Sequence, residues 1–219
     1  MLAAPDAATI AFLKTLPSGI VCDALGRLGL SGFTDGLYPI RNDTKMAGRA
    51  RTVQFAPRRG VGNADFNIYR YIRSLDKGDI LVIATDCSNS WIYGENMAHE
   101  AHYHGLAGIV ADCMARDGQE LESMNIPCYA RGLAVRPPAF QFVATDVPVS
   151  LAGAQVHPGD MMVGDADGIV VVPSARLADV VYQARDLLDL ESQQEKAIRD
   201  RIPLDDLLAV MGKKRIVKA

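Results

Sequence analysis

The sequence is poor in the features that mark several protein classes. Its four cysteines, Cys22, Cys87, Cys113 and Cys128, form no C-x-x-C pair and no regular spacing. That argues against a zinc knuckle or a disulfide framework and favours reduced thiols in a cytoplasmic protein. No apolar run is longer than a few residues; Ile80–Ala84 and Ile169–Pro173 are far too short to span a bilayer. The first residues, MLAAPDAATIAFLKTLP, lack a charged segment followed by an apolar core, so no signal peptide is expected. There is no basic surplus: the net charge is −3 and the pI about 5.8, which weighs against nucleic acid as a partner. P-loop and dinucleotide fingerprints are missing too, and no Gly-rich loop after the first strand supports a nucleoside cofactor. Nor does any linker or repeat divide the chain.

What is present reads as one α/β domain over residues 1–219 with a mixed sheet and a long C-terminal helix. Helix is expected from Ile10 to Leu28, interrupted at Pro17, with Ser18 as a cap and Gly29 as a stop. Met46–Ala56 reads as a strand, Pro57–Asn63 as a turn, and Asp65–Leu75 as a helix. The strand Ile80–Ala84, a helix from Glu95 to about His104, the strand Gly108–Asp112, a helix at Asp117–Met124 and the strand Pro127–Ala130 then alternate as in β-α-β units. Short strands over Phe140–Val172 suggest antiparallel or mixed pairing. A helix from Ser174 to Arg201 and a small one at Leu204–Met211 close the chain, and Lys213–Lys218 reads as a solvated end.

Ligands of α/β sheets bind beyond the carboxyl ends of strands, where Arg116 and Asp117 fall. Taken alone, Asp117-Gly-Gln-Glu120 has the spacing of a capping box, and Arg116 that of a surface ion-pair residue. The preceding unit adds weight. If the two strands are parallel neighbours, the stretch Thr85–Ala98 reaches the same sheet edge. Free amides at the start of the Glu95 helix then face Arg116, a ready carboxylate site. Glu95 and Asp117 would supply hard oxygen ligands suited to Mg²⁺ or Mn²⁺, with Trp91 and Tyr93 walling the pocket.

Glu95, twenty intervening residues and then Arg116-Asp117 resemble the acidic-x20-Arg-Asp signature of the class II pyruvate aldolases. These cleave 4-hydroxy-4-methyl-2-oxoglutarate and 4-carboxy-4-hydroxy-2-oxoadipate, and their relatives include the regulator of ribonuclease activity A. The segments Ser18–Gly29, Met46–Val53, Gly105–Val110 through Gly132, Pro158–Asp160 and Asp165–Pro173 extend the resemblance over most of the chain. It implies a metal-dependent carbon–carbon lyase acting on a 2-oxo acid, with oxaloacetate decarboxylation as a related reaction. Asp117 would bind the metal directly and Glu95 through water. Backbone amides of Gly94, Glu95, Asn96 and Met97 would hold a carboxylate, and Arg116 the keto oxygen. Cys113 stands where the family carries Gly, which implies a narrower pocket with Trp91, Tyr93 and Cys113 at its far end.

On the C-terminal helix, Leu177, Val180, Val181, Ala184, Leu187 and Leu188 form an apolar stripe whose spacing continues to Glu191, Glu195 and Ile198. The resemblance implies that Glu195, with Glu191 as competitor, completes the metal shell of a neighbouring subunit in a trimer or hexamer. A rival metal set of Glu95, His99 and His102 would spread about 10 Å along one helix, too far for a single ion, which leaves open a pair from it with an outside ligand. His99, His102 and His104 read as helix-surface residues, and Cys87 as an inert thiol.

Overall fold

The computed structural model describes residues 5–59 and 66–218. Pro17 parts two N-terminal helices, α1 (Ala7–Thr15) and α2 (Ser18–Arg27), because proline cannot continue a helix interior. Then come β1 (Tyr38–Pro39), the twelve-residue β2 (Met46–Pro57), α3 (Ile68–Ile72) and β3 (Asp79–Ala84). A short β4 (Trp91–Tyr93) runs almost directly into α4 (Glu95–His104). Next are β5 (Gly108–Ala111), β6 (Met114–Ala115), α5 (Gly118–Ser123), β7 (Cys128–Ala130) and β8 (Gly132–Leu133). The second half holds β9 (Phe140–Thr145), β10 (Val149–Leu151), β11 (Ala154–Val156), β12 (Met161–Asp165) and β13 (Gly168–Val172). A 3-10 turn leads into α6 (Leu177–Arg199), followed by α7 (Leu204–Gly212).

The main sheet is mixed, as expected, in the order β1-β7-β5-β3-β2-β12-β13 with β9 also on β2. Its centre, β2-β3-β5-β7, is parallel. The length of β2 lets one edge serve two antiparallel partners, β12 at residues 46–49 and β9 at 53–57. Every residue of β3 and β5 is buried, because both sheet faces are covered. Leu81, Ile83 and Ile109 pack under Met97, Ala98 and Ala101 of α4. On the other face, Ile80, Val82 and Val110 meet Leu151 and Val156 of the β10–β11 hairpin. A third cluster joins α1, α2 and α6 to β12 and β13 through Leu16, Val21, Leu25, Val163, Val170, Val180 and Leu187. Among the described residues, no single helix is long and apolar enough to cross a membrane.

Four local expectations need correction. Ser18 does not cap α2: it is the first helical residue, and its N–H and hydroxyl both donate to the Asp165 carboxylate at 2.7 Å. The helix expected at Asp65–Leu75 contracts to α3, whose start is set by the Asn67 side chain accepting from the Arg70 N–H; Asp65 and the Gly60–Asn63 part of the expected turn lie outside the described residues. The stretch Thr85–Ala98, expected as loop up to the helix at Glu95, contains β4, which joins β6 and β8 in a separate parallel sheet. The basic end is not merely solvated. Arg27 Nε donates to the Lys214 carbonyl at 2.7 Å, and the buried Gln183 exchanges two hydrogen bonds with the Lys218 backbone. Buried polar side chains demand such partners, and here the tail supplies them.

Candidate active site

Two loops meet at the carboxyl ends of β3 and β5 because Asp112 ties one to the other. Its buried carboxylate accepts from Thr85 N (2.6 Å) and Thr85 Oγ1 (2.8 Å). Burial pushes the Asp112 carboxyl above its ordinary range, while the Thr85 hydrogen bonds pull it back only in part. Beyond this tie, β4 and β6 pair in parallel, with Trp91 opposite Met114 and Tyr93 opposite Ala115. Both strands therefore deliver the next residues of the chain to one edge: Gly94–Met97 from β4, Arg116-Asp117 from β6. The Arg116 N–H, donating to the Tyr93 carbonyl at 3.1 Å, closes the junction.

Asp117 has φ +60° and ψ +48°, a left-handed conformation uncommon for a residue with a side chain. The capping box expected for α5 does not form, since no side chain caps that helix. Its carboxylate turns instead to the start of α4. There Asp117 Oδ2 accepts from the Glu95 N–H at 3.1 Å and lies 3.3 Å from Arg116 Nε. A carboxylate in this place also meets the positive end of the α4 dipole. It occupies one of the amides expected to be free. The first intrahelical bond of α4 runs from Ala98 N to Gly94 O, which leaves the Asn96 and Met97 N–H groups for a ligand.

Gly94 makes the close approach feasible. A Cβ at this position would collide with Asp117 Oδ2 and stand 2.9 Å from Arg116 Cγ. The Arg116 guanidinium lies 4.1 Å from the centre of the Trp91 ring, whose face holds it over the site. Glu95 carries its carboxylate back along α4, with Oε1 3.4 Å from His99 Nε2. Trp91, Gly94, Asn96, Met97, Arg116 and Asp117 border a cleft of about 80 Å³; Glu95 lies beside it and is not part of its lining, whereas Tyr69 of α3 adds a wall. Nothing in the local sequence around Tyr69 signals this; α3 arrives there through the tertiary fold.

The donor chemistry suits a hard divalent cation. Asp117 is partly exposed, and its Oδ1 accepts no hydrogen bond among the described residues. Hydrated Mg²⁺ characteristically takes one or two carboxylates and keeps several waters, so Asp117 fits as its direct ligand. Among the described residues, no three His, Cys, Asp or Glu side chains gather as a metal cage. The Glu95, His99 and His102 set accordingly does not converge: His99 stacks on Tyr103, and His104 Nε2 is 2.8 Å from the Leu75 carbonyl.

Cys113 and the Tyr93 hydroxyl, both expected at the pocket, lie in the core. Cys113 is fully buried in the core, so it does not narrow the cleft; burial pushes its thiol up to about 12. Tyr93 also points inward, its hydroxyl donating to the Tyr129 carbonyl at 3.0 Å, which leaves Trp91 as the aromatic side chain from that pair at the cleft. On α6, Leu190 and Ala197 take the packing positions expected of the two glutamates. Glu191 pairs with Lys214 at 2.6 Å and Glu195 with Arg199 at 3.5 Å, both at the surface and neither lining the cleft of its own chain. Cys87 is exposed, with Arg131 Nη1 donating to its Sγ at 3.4 Å.

Comparison with known proteins agrees with this architecture. A model of the RraA-like family, described as Aldolase/RraA, matches residues 19–171. A Halalkalibacterium halodurans protein, provisionally named 4-hydroxy-4-methyl-2-oxoglutarate aldolase, is 30% identical over 192 residues, covering 86% of this chain and 88% of its own. The crystal structure of an uncharacterized protein from Pseudomonas syringae pv. tomato superposes with a TM-score of 0.86 at 28% identity, over 95% of this chain and 96% of the other. Streptomyces coelicolor RraAS2, described as an unusual member of the RNase ES inhibitor RraA family, superposes with a TM-score of 0.79 at 28% identity, over 88% and 98%. With a family match across most of its length and the same fold in its relatives, this chain belongs to the RraA-like aldolase/RraA family.

Proposed function

We propose that the chain is a divalent-metal-dependent carbon–carbon lyase that splits a 4-hydroxy-2-oxo acid into pyruvate and a second oxo acid. The observation that carries this reading is the convergence of Arg116, Asp117 and the α4 amides on one small cleft. The Asn96 and Met97 amides bind the carboxylate at the pyruvyl end, and Arg116 faces its keto oxygen. As the C3–C4 bond breaks, negative charge builds on that oxygen, where a guanidinium held in advance by Trp91 stabilises it most. Glu95, between the lining residues Gly94 and Asn96, takes the C4 hydroxyl proton through a water. A bound Mg²⁺ or Mn²⁺ with Asp117 as ligand supplies Lewis-acid polarisation of the 2-oxo group. Oxaloacetate decarboxylation needs the same stabilisation of an enolate oxygen. Among the described residues no lysine lines the cleft, which favours this route over a Schiff base.

The same reading makes the protein a cytoplasmic homo-oligomer, a trimer or a hexamer built from two trimers. Glu195, exposed on α6, would then reach the cleft of a neighbouring copy. The alternative, a ribonuclease regulator without catalysis, draws on the likeness to RraAS2.

Pyruvate release from oxaloacetate and from 4-hydroxy-4-methyl-2-oxoglutarate tests the proposal, measured with chelator, Mg²⁺ or Mn²⁺ and corrected for metal-catalysed background. Turnover should vanish with chelator, and Asp117→Ala should lower it at least about a hundredfold. No turnover on a panel of oxo acids, together with co-purification of a ribonuclease, would establish the regulator instead.

A further inference from the structure

The cleft at Arg116 and Asp117, at about 80 Å³, has room for a pyruvyl-sized group and little more. Tyr69 lines it, and also lines an adjoining groove of about 360 Å³ whose other walls are Asn67, Arg70 and Arg73. Tyr69 is thus common to both linings, and the groove lies next to a molecule whose 2-oxo acid end occupies the cleft. Among the described residues, the groove is lined by two guanidinium groups and no carboxylate. Arg73 is already committed, with Nε and Nη2 at 2.6 and 3.1 Å from the Glu100 carboxylate. Arg70 differs: its main-chain N–H is held by Asn67 Oδ1 at 3.0 Å, while its exposed guanidinium has no ion pair or hydrogen bond among the described residues.

We propose that Arg70 is a specificity-determining residue that binds the second carboxylate of a dicarboxylic oxo acid, with Tyr69 dividing the two ends of the substrate. This rests on the reading of the cleft as a 2-oxo acid site. A guanidinium presents two parallel N–H donors to a carboxylate, a geometry that lysine lacks. An isolated surface arginine would be worth little. Here the free cation sits in a groove that shares a wall with the cleft.

The test uses full-length protein with Mg²⁺, as wild type, Arg70→Gln and Arg70→Lys. Two substrates are compared: 4-hydroxy-4-methyl-2-oxoglutarate, with two carboxylates, and 4-hydroxy-2-oxopentanoate, with one. Arg70→Gln should raise KM about tenfold for the first, with kcat within about twofold, and leave the second unaltered; Arg70→Lys should recover part of the loss. Calorimetric titration with 2-oxoglutarate and with pyruvate supplies a readout independent of turnover. Wild type should prefer 2-oxoglutarate, and Arg70→Gln should abolish the preference. Equal losses on both substrates, or an unchanged preference in Arg70→Gln, would overturn the assignment of Arg70 while leaving the lyase reading intact. Binding of 2-oxoglutarate that depends on Arg70, without turnover of any oxo acid, would remove the lyase reading and keep the subsite. With neither turnover nor binding, both fail.

Discussion

Gly94 lines the cleft and Cys113 lies in the core, and the two have opposite duties. Gly94 is where the backbone of one loop touches the carboxylate of the other, so Gly94→Ala should displace Asp117 and Arg116. We expect pyruvate release to fall at least about tenfold while the melting temperature shifts by no more than about 3 °C. A fully active Gly94→Ala would show that the contact is incidental. Cys113 faces the core, so Cys113→Gly, which places the family's residue at this position, should leave substrate preference alone. Its cost falls on stability, about 1–2 kcal/mol from lost burial and added backbone freedom. Urea unfolding and the ratio of kcat/KM on two oxo acids separate the outcomes, and a changed ratio without a stability loss would place the thiol in the cleft.

Between elements, carboxylates do the joining. Asp165, at the end of β12, accepts from the Ser18 N–H and hydroxyl and from the Asp167 N–H, and so caps α2 from a distant strand. Asp165→Ala should destabilise by about 1–3 kcal/mol in urea titration, and Ser18→Ala, which spares the backbone bond, by less. Asp146, just after β9, ties to Arg51 on β2 at 2.8 and 3.0 Å and accepts from the Tyr71 hydroxyl at 3.0 Å. Partial burial acts to raise the Asp146 carboxyl, but the Arg51 hydrogen bonds and charge outweigh it and hold the group below its ordinary value. A depressed folded-state pKa means stability present above the unfolded value of 3.8 and lost as pH falls through the folded value. The urea midpoint of wild type should therefore exceed that of Asp146→Asn at neutral pH, and the gap should close below about pH 4. A gap independent of pH would mean that shape, not charge, matters there.

Across the whole molecule, the C-terminal tail binds back onto α2 and α6. Arg27 and Gln183 have nearly buried side chains that take partners from the Lys213–Lys218 backbone, and Lys218 Nζ adds an ion pair with Asp186 at 3.0 Å. Truncation after Gly212 leaves those groups to water. We expect a loss of about 1–2 kcal/mol, which for a chain of this size lowers the melting temperature by about 3–6 °C. An unchanged melting curve would mean that the tail contributes nothing to the fold.

The sequence alone determined the parallel centre of the sheet, because β3 and β5 are continuous apolar runs, which only a strand covered on both faces tolerates. It also determined α4 to its bounds, from Glu95 to the left-handed Gly105 that ends it, and the meeting of Glu95 with Arg116-Asp117 at one edge, which follows from parallel neighbours. Periodicity speaks only for stretches long enough to show it. The strands β4, β6 and β8 have two or three residues each, too few to register, yet they set the spacing of the two loops. On α6 the apolar stripe locates the helix, but only the tertiary fold decided that Leu190 and Ala197 are buried rather than the glutamates. Asp117 illustrates the division best. Its local spacing suits a cap on α5, whereas a carboxylate bonds the donors that reach it through space, and only the tertiary structure decided that these belong to Glu95 and Arg116.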